Sequence, residues 1–278
     1  MGSRPGQFRF DAPRRVPPRP GDAPVEARKI TTAADYQHEP VSAATFVPRR
    51  ALLSFSSEQF RKAAAERGGT PNSLFVGIAT RFLVSSGVIP DERTVNVSQR
   101  ISDRGEGDVR GNITAGVDIL VDVGPSLYQD LRQIRQASKE AFGKWEGGGE
   151  DLGEFDSPLI QLLPDWLLAF VAKQTVKNPS KTLCTLSNVG KAPESMLRFA
   201  GKSASALYPV FVLPKQTDAS LWRTSGSAVQ GSLIDLGDVT SIVLEGRNPE
   251  RHSVEHAEFV KLVIDECARW GLEPLHVL

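Results

Sequence analysis

Four histidines, His38, His252, His256 and His276, are the only side chains of this 278-residue chain that titrate near neutral pH without a perturbing neighbour. Two stand together. His252-Ser253-Val254-Glu255-His256 matches the H-x-x-E-H spelling of an inverted zinc-hydrolase helix, where two histidines one turn apart hold the metal and the glutamate is general base. Ser253, however, has the residue type of a helix N-cap, which would leave His252 outside the helix and spoil the shared face. A third protein ligand is also needed, and only 22 residues follow His256. The expectation is therefore an exposed, polar helix start and no metal site. His38 lies near the N-terminus and His276 near the C-terminus, neither framed by a nucleophile or an orienting carboxylate. His256 is left as the one catalytic candidate among them.

Other spellings of chemistry break off. Gly201-Lys202-Ser203 ends like a phosphate-binding loop, but Met196 stands where its first glycine belongs. Gly105, Gly107 and Arg110 miss the third glycine of a dinucleotide fingerprint and read as a charged surface hairpin. Ser187 follows an apolar strand without the glycine of a nucleophile elbow; a Ser187-Asn188 pair leaving a strand reads as a local backbone-bonding turn.

The chain that must position these residues has 33 basic and 33 acidic side chains, so it carries no global field to gather nucleic acid. Cys184 and Cys267 lie far apart in apolar segments, as in a reduced cytosolic protein rather than a disulfide framework. The apolar run from Leu159 to Val171 is interrupted by Gln161, Pro164 and Asp165 and is too short for a bilayer span, and the N-terminus lacks a signal-like apolar region. A cytoplasmic location and no transmembrane segment are the expectations.

Residues 1–48 are punctuated by eight prolines with arginines between them and read as an extended arm or crossover linker; residues 49–278 read as the folded subdomain. There, Ala51 to Phe55 predicts a strand, and Ser56 with Gln59 a capping box opening a helix that stops before Gly68. Thr70 and Pro71 open a second helix, with Leu74, Phe75, Ile78, Ala79, Phe82 and Leu83 making it a buried one. Val95 to Arg100 alternates as a strand. Gly111-Asn112 launches another, with Val117, Ile119 and Val121 facing the core and Gly116 and Asp118 facing away. Tyr128 to Ala141 has helical spacing, and Gly147-Gly148-Gly149 closes it. Pro158 to Lys177 reads as an apolar helix or helix pair with a break at Pro164. Strands are expected near 182–187, 204–213, 232–236 and 240–245, then a closing helix capped by Ser253 with Phe259, Val263 and Cys267 in its core stripe. Helices and strands mix without regular alternation. The predicted fold class is α+β, a two-layer α/β sandwich with a mixed, largely antiparallel sheet covered by helices.

Four features in order resemble a known superfamily. Thr70-Pro71-Asn72-Ser73-Leu74 opens a buried helix; Val95 to Arg100 leads to Gly111-Asn112 and a strand; Leu163-Pro164 precedes a helix; Thr185-Leu186-Ser187-Asn188-Val189-Gly190 ends a strand. Ala200-Gly201 followed by Leu207-Tyr208-Pro209 continues the series. Over about Pro48 to Gly271 this resembles the C-terminal half of the wax ester synthase/diacylglycerol acyltransferase family and of the condensation-domain, chloramphenicol-acetyltransferase-like superfamily of CoA-dependent acyltransferases. The resemblance implies a half-domain facing a second half across a tunnel for acyl donor and acceptor. Its base, the second histidine of an HHxxxDG motif, belongs to the N-terminal half and is absent here, and Asn188-Val189-Gly190-Lys191 departs from the Pro-Gly-Pro version common in wax ester synthases.

The resemblance further implies a scaffold half of a transferase that moves an acyl group from a CoA or carrier-protein thioester to an alcohol or amine. No cofactor is held, and acyl-CoA or acyl-carrier protein is the substrate. Gly111, Asn112, Ser187 and Asn188 would line the tunnel, and Arg100 would meet a partner or form a surface ion pair. The partners implied are an N-terminal half bearing HHxxxDG or a second copy, and a carrier protein; the strand from Asn112 to Asp122 would border the exposed face. The other reading is a non-catalytic module that binds a carrier protein or a lipid.

Overall fold

The computed structural model describes residues 30–31, 45–102, 114–146, 164, 167, 182–199, 201–210, 218–219, 222 and 227–278. Gly111, Asn112, Gly147 to Gly149 and most of Pro158 to Lys177 lie outside the described residues.

Ten strands are described: β1 (Ile30–Thr31), β2 (Arg49–Ser56), β3 (Arg93–Ser102), β4 (Thr114–Val123), β5 (Cys184–Lys191), β6 (Arg198–Phe199), β7 (Lys202–Ser203), β8 (Val229–Asp235), β9 (Val239–Gly246) and β10 (His276–Val277). Five helices accompany them: α1 (Ser57–Ala65), α2 (Pro71–Ser85), α3 (Arg132–Glu146), α4 (Glu194–Leu197) and α5 (His256–Arg269). The main sheet runs β1-β3-β5-β8-β9-β2-β10, with β4 on β3, and β6 and β7 form a separate hairpin. β1, β3, β5 and β8 are joined by parallel pairings, and every other pair is antiparallel. Because β4 takes one whole edge of β3, β1 and β5 lie end to end along its other edge. The fold is α+β with a mixed sheet.

One face of this sheet makes the core. Leu53, Phe55, Val95, Val97, Ile119, Val121, Leu186, Leu233, Ile242 and Leu244 share a single buried cluster with residues of α1, α2, α3 and α5. α2 is its centre: every residue from Ser73 to Leu83 is buried, which is the burial expected of a helix flanked by both sheet and helices. Its start is set locally, since Pro71 needs no intrahelical donor and Thr70 Oγ1 accepts from Ser73 N at 3.2 Å. Gly77 lets α5 approach, because a Cβ there would stand 2.8 Å from the Trp270 ring. Glu266 on α5, fully buried, accepts from Tyr128 Oη at 2.9 Å and Trp270 Nε1 at 3.0 Å and so ties Tyr128 to the C-terminal end of α5.

The other face is small and polar along its middle. By strand alternation and register, Arg100, Ser187, Ser232 and Val243 form one cross-strand row there, and Ser98, Thr185, Gln230 and Glu245 the next. Two pieces of chain cross it. Ser232 Oγ donates to the Pro209 carbonyl and Ser54 Oγ pairs with Tyr208 Oη at 2.8 Å, while Phe46, Ala219 and Trp222 form a separate small cluster with Arg247 stacked on Trp222. Within the segment read as an arm, β1 joins the sheet, and Phe46 is buried in this second cluster.

Four local expectations are corrected. Residues 204–210 cross the sheet face as irregular chain, because Tyr208 and Pro209 are held by side-chain hydroxyls rather than a ladder. The helix expected from Tyr128 is a 3₁₀ turn over Pro125–Tyr128 followed by α3, because Pro125 starts the turn and Asp130 Oδ1 accepts from Arg132 N to begin the helix again. Ser253 is not the cap of the closing helix: its hydroxyl donates to the Pro249 carbonyl, and Glu255 stands at the N-cap without a side-chain bond. His252 is not part of an exposed helix start either. It is fully buried, stacked on Phe82 at 5.8 Å and edge-on to Phe259 at 5.6 Å, with Nδ1 accepting from Asn248 N at 3.0 Å.

Burial pushes the His252 imidazole down to about 3. The unfolded chain takes up a proton at this residue near pH 6.5 and the folded chain does not until about 3, so acidification through that window costs stability, by about 1.4 kcal/mol per pH unit. Urea unfolding between pH 7 and 4 is expected to show a flatter pH slope in His252→Gln than in the parent; equal slopes would contradict the assignment.

Candidate functional site

A cleft of about 440 Å³ opens where the carboxyl ends of the parallel strands β3 and β5 meet the N-terminus of α2, with α3 as its outer wall. Four wall residues, Arg135, Ser138, Lys139 and Phe142, fall at i, i+3, i+4 and i+7 and so form one stripe of α3. Asn72 comes from the first turn of α2, Gln99 from β3 and Asn188 from β5.

Asn188 reaches the cleft through a bulge. Its Cα partner is Leu233, whereas Gly190 pairs with Ile234, so Val189 is the extra residue in β5. Gly190 has φ +76°, a left-handed conformation that glycine adopts without strain. In this bend Gly190 N donates to Asn188 Oδ1 at 2.9 Å. The local backbone-bonding turn expected of Ser187-Asn188 is present in this form.

That single backbone donor orients a whole chain of side chains. Because Oδ1 of Asn188 faces Gly190, its Nδ2 faces α2 and donates to Asn72 Oδ1 at 3.2 Å. Asn72 Nδ2 then donates to Gln99 Oε1 at 2.7 Å, and Gln99 Nε2 to Ser138 Oγ at 2.9 Å. Every oxygen in the series already accepts a hydrogen bond, while each amide nitrogen keeps a second N–H and Ser138 keeps its hydroxyl hydrogen. Gln99 is buried, Asn72 half-buried and Asn188 exposed, so the chain runs from the floor of the cleft to its rim.

The charges around it have one sign. Arg135 and Lys139 line the wall, while Arg100 borders the cleft with its side chain turned to the opposite face of the sheet, beside Gly116; among the described lining residues there is no aspartate, glutamate, histidine or cysteine. Neither wall cation is in an ion pair among the described residues, although Arg135 Nη1 lies 3.5 Å from the Gly68 carbonyl. α2 has no acidic residue in its first turn to offset its positive end. A larger cleft, about 870 Å³, lies beside the β6–β7 hairpin, but there Lys191 and Arg198 are accompanied by Asp238.

Of the residues singled out in the sequence, Asn188 faces this cleft and Ser187 the opposite side of the sheet, because successive strand residues alternate. Ser187 is there opposite Arg100, whose Nη1 lies 3.5 Å from where a Cβ of Gly116 would be. His256 begins α5 and is exposed, away from the cleft lining. Asn72, Gln99, Arg135, Ser138 and Lys139 were not singled out as site residues. Asn72 was legible as part of the Thr70-Pro71-Asn72-Ser73 helix start, and the α3 stripe through its spacing, but nothing local in sequence joins them to Asn188. Cys184 and Cys267 are free and fully buried, with their thiols pushed up by desolvation, and so are inert. Among the described residues no group of three or more histidine, cysteine, aspartate or glutamate side chains could hold a metal ion, and no helix is long and apolar enough to cross a membrane.

No protein-family model matches the chain, and no curated protein does. Solved structures do. The chain is similar to the wax ester synthase/diacylglycerol acyltransferase from Marinobacter aquaeolei VT8, with 16% identity and a TM-score of 0.46 over 86% of this chain and 53% of that one. It is similar to the condensation domain that mediates chain release from the enacyloxin polyketide synthase, with 14% identity and a TM-score of 0.46 over 87% of this chain and 46% of that one. It is also similar to the trichothecene 15-O-acetyltransferase from Fusarium sporotrichioides, with 12% identity and a TM-score of 0.49 over 82% of this chain and 47% of that one. The chain thus spans about half the length of each.

Breaking the amide chain at its floor should cost more than at its rim. Gln99→Leu removes a buried acceptor and a buried donor and is expected to lower unfolding stability by about 1–3 kcal/mol, against about 0.5–1.5 kcal/mol for Asn188→Ala. Denaturant unfolding of both variants checks the order; a larger loss in Asn188→Ala would show that the anchor is at the rim.

Proposed function

We propose that this chain is one half of an acyl-transfer scaffold, which binds a thioester donor carried on coenzyme A or a carrier protein and depends on a partner half for the catalytic base. The observation that carries the reading is the cleft itself: its lining sets amide and hydroxyl groups beside the cations Arg135 and Lys139, and its described residues offer no side chain that would accept a proton near neutral pH. Such a cleft binds and positions; it does not deprotonate. The ordered Thr70-Pro71-Asn72-Ser73 and Ser187-Asn188-Val189-Gly190 features that resemble the superfamily's C-terminal half support the same reading, since Asn72, Asn188 and Gly190 converge on this cleft.

In the reaction proposed for the assembled pair, the partner's base takes the proton from an alcohol or amine as that group attacks the thioester carbonyl carbon. The carbon–sulfur bond then breaks, and the thiol leaves with the proton. This chain's part is to hold the donor still, which is where an effective concentration gain arises. The lack of a base in the cleft equally favours the second reading, a non-catalytic module that binds a carrier protein or lipid, and a partner chain bearing HHxxxDG separates the two.

The purified chain is expected to bind acyl-CoA in calorimetry and to release no thiol from it above the buffer rate. Thiol release by the chain alone, abolished in His256→Ala, would overturn the need for a partner half; failure to bind any acyl thioester would overturn the donor-binding role.

A further inference from the structure

β4 closes one end of the sheet, and among the described residues only β3 pairs with it. Its outer edge is thus a row of ten residues with backbone groups turned away from the sheet. Proteins guard such edges with lysine, proline or a bulge. Thr114–Val123 has no lysine or proline, and its register on β3 is unbroken. Its two aspartates are held toward β3 instead, Asp118 accepting from Asn96 Nδ2 at 3.1 Å and Asp122 from Thr94 Oγ1 at 2.6 Å. Leu120, between them on the same face, is 51% exposed. Gly116 follows on that face, and Arg100 of β3 lies across it, with Nη1 3.5 Å from where a Cβ would stand. The missing side chain lets a cation reach the outer strand, and Arg100 is in no ion pair among the described residues.

We infer that β4 is a self-pairing edge, which joins antiparallel to β4 of a second copy about a two-fold axis at Ile119. For the two buried faces to continue one another, odd-numbered residues must oppose odd and even oppose even. Centring the pair on Asp118 sets that residue against Asp118 of the second copy, and centring it on Leu120 sets Asp118 against Asp122; like charges directly opposite are destabilising. Centring on Val117 leaves Val121 to Val123 unpaired. Centring on Ile119 pairs Ala115 through Val123 and sets Asp122 opposite Gly116 of the second copy, beside that copy's Arg100, twice by symmetry. The two Leu120 side chains then meet diagonally beside the axis. Cation, glycine gap and carboxylate lie on one surface and complement their own two-fold image, as an isologous contact requires. The inference goes beyond the acyl-transfer reading and does not depend on it, since it uses neither the cleft nor a thioester.

Sedimentation equilibrium of the full chain tests this, with Arg100→Asp, Leu120→Lys and the charge exchange Arg100→Asp/Asp122→Arg beside the parent. Arg100 and Leu120 are exposed, and unchanged thermal midpoints would show that the single variants fold. The parent should be a dimer that weakens as salt is raised. Each single variant should weaken it by about tenfold or more, and the folded charge exchange should recover most of what Arg100→Asp loses. In Leu120→Cys, where the two native cysteines are fully buried, a short bismaleimide should link the copies. A parent that stays monomeric at high concentration would overturn the inference. So would a dimer that neither single variant weakens, or one that Leu120→Cys cannot link, because the contact would then lie on another surface. A dimer weakened by both single variants but not recovered by the folded charge exchange would overturn the Ile119 register and support the pairing of the edges.

Discussion

The hydrogen bond from Gly190 N to Asn188 Oδ1 is the constraint on which the candidate site depends. An amide side chain has a donor end and an acceptor end of nearly equal size, and in most settings either can point either way. A backbone N–H removes the choice. Once Asn188 is fixed, Asn72 can meet it only with its oxygen and Gln99 can meet Asn72 only with its oxygen, so a local bend in β5 sets the chemical character of a cleft wall on α2, β3 and α3. The bend itself follows from the bulge at Val189 and the left-handed backbone of Gly190.

The scaffold makes such a relay feasible. α2 is buried along eleven consecutive residues, so its first turn is held between the sheet and α3 with little freedom to move Asn72. β3 and β5 run parallel, which brings Gln99 and Asn188 to the same end of the sheet, beside the α2 N-terminus. The same parallel register sends Ser187 to the far side. Asn188 and Ser187 of β5 therefore contribute to opposite faces, Asn188 to the cation-walled cleft and Ser187 to the hydroxyl-bearing face that also carries Ser98, Thr185 and Ser232.

Much of the fold was legible because its signals are local. The Thr70 cap with Pro71, the apolar run of α2, and the alternation of Val117, Ile119 and Val121 each predict an element that the structure contains. The failures were of another kind. Ser253 looked like a cap and His252 like an exposed residue, because sequence does not show that Phe82 and Phe259, 170 and 7 positions away from His252, close around its ring. Residues 204–210 have strand-like composition, yet their partners are the hydroxyls of Ser54 and Ser232. For the site, Asn188 was picked out by its place at a strand end, but the charge of the cleft arises from α3, which is distant in sequence and reaches β5 only through the folded layer.

Neutron diffraction from deuterium-exchanged crystals of the protein measures the direction of the amide chain directly. Deuterons are expected on the Asn188 and Asn72 atoms that face Asn72 and Gln99, with the second deuteron of each amide turned to the cleft and none on the Asn188 atom facing Gly190. Deuterons absent from those positions, with the amide oxygens turned into the cleft, would contradict that direction.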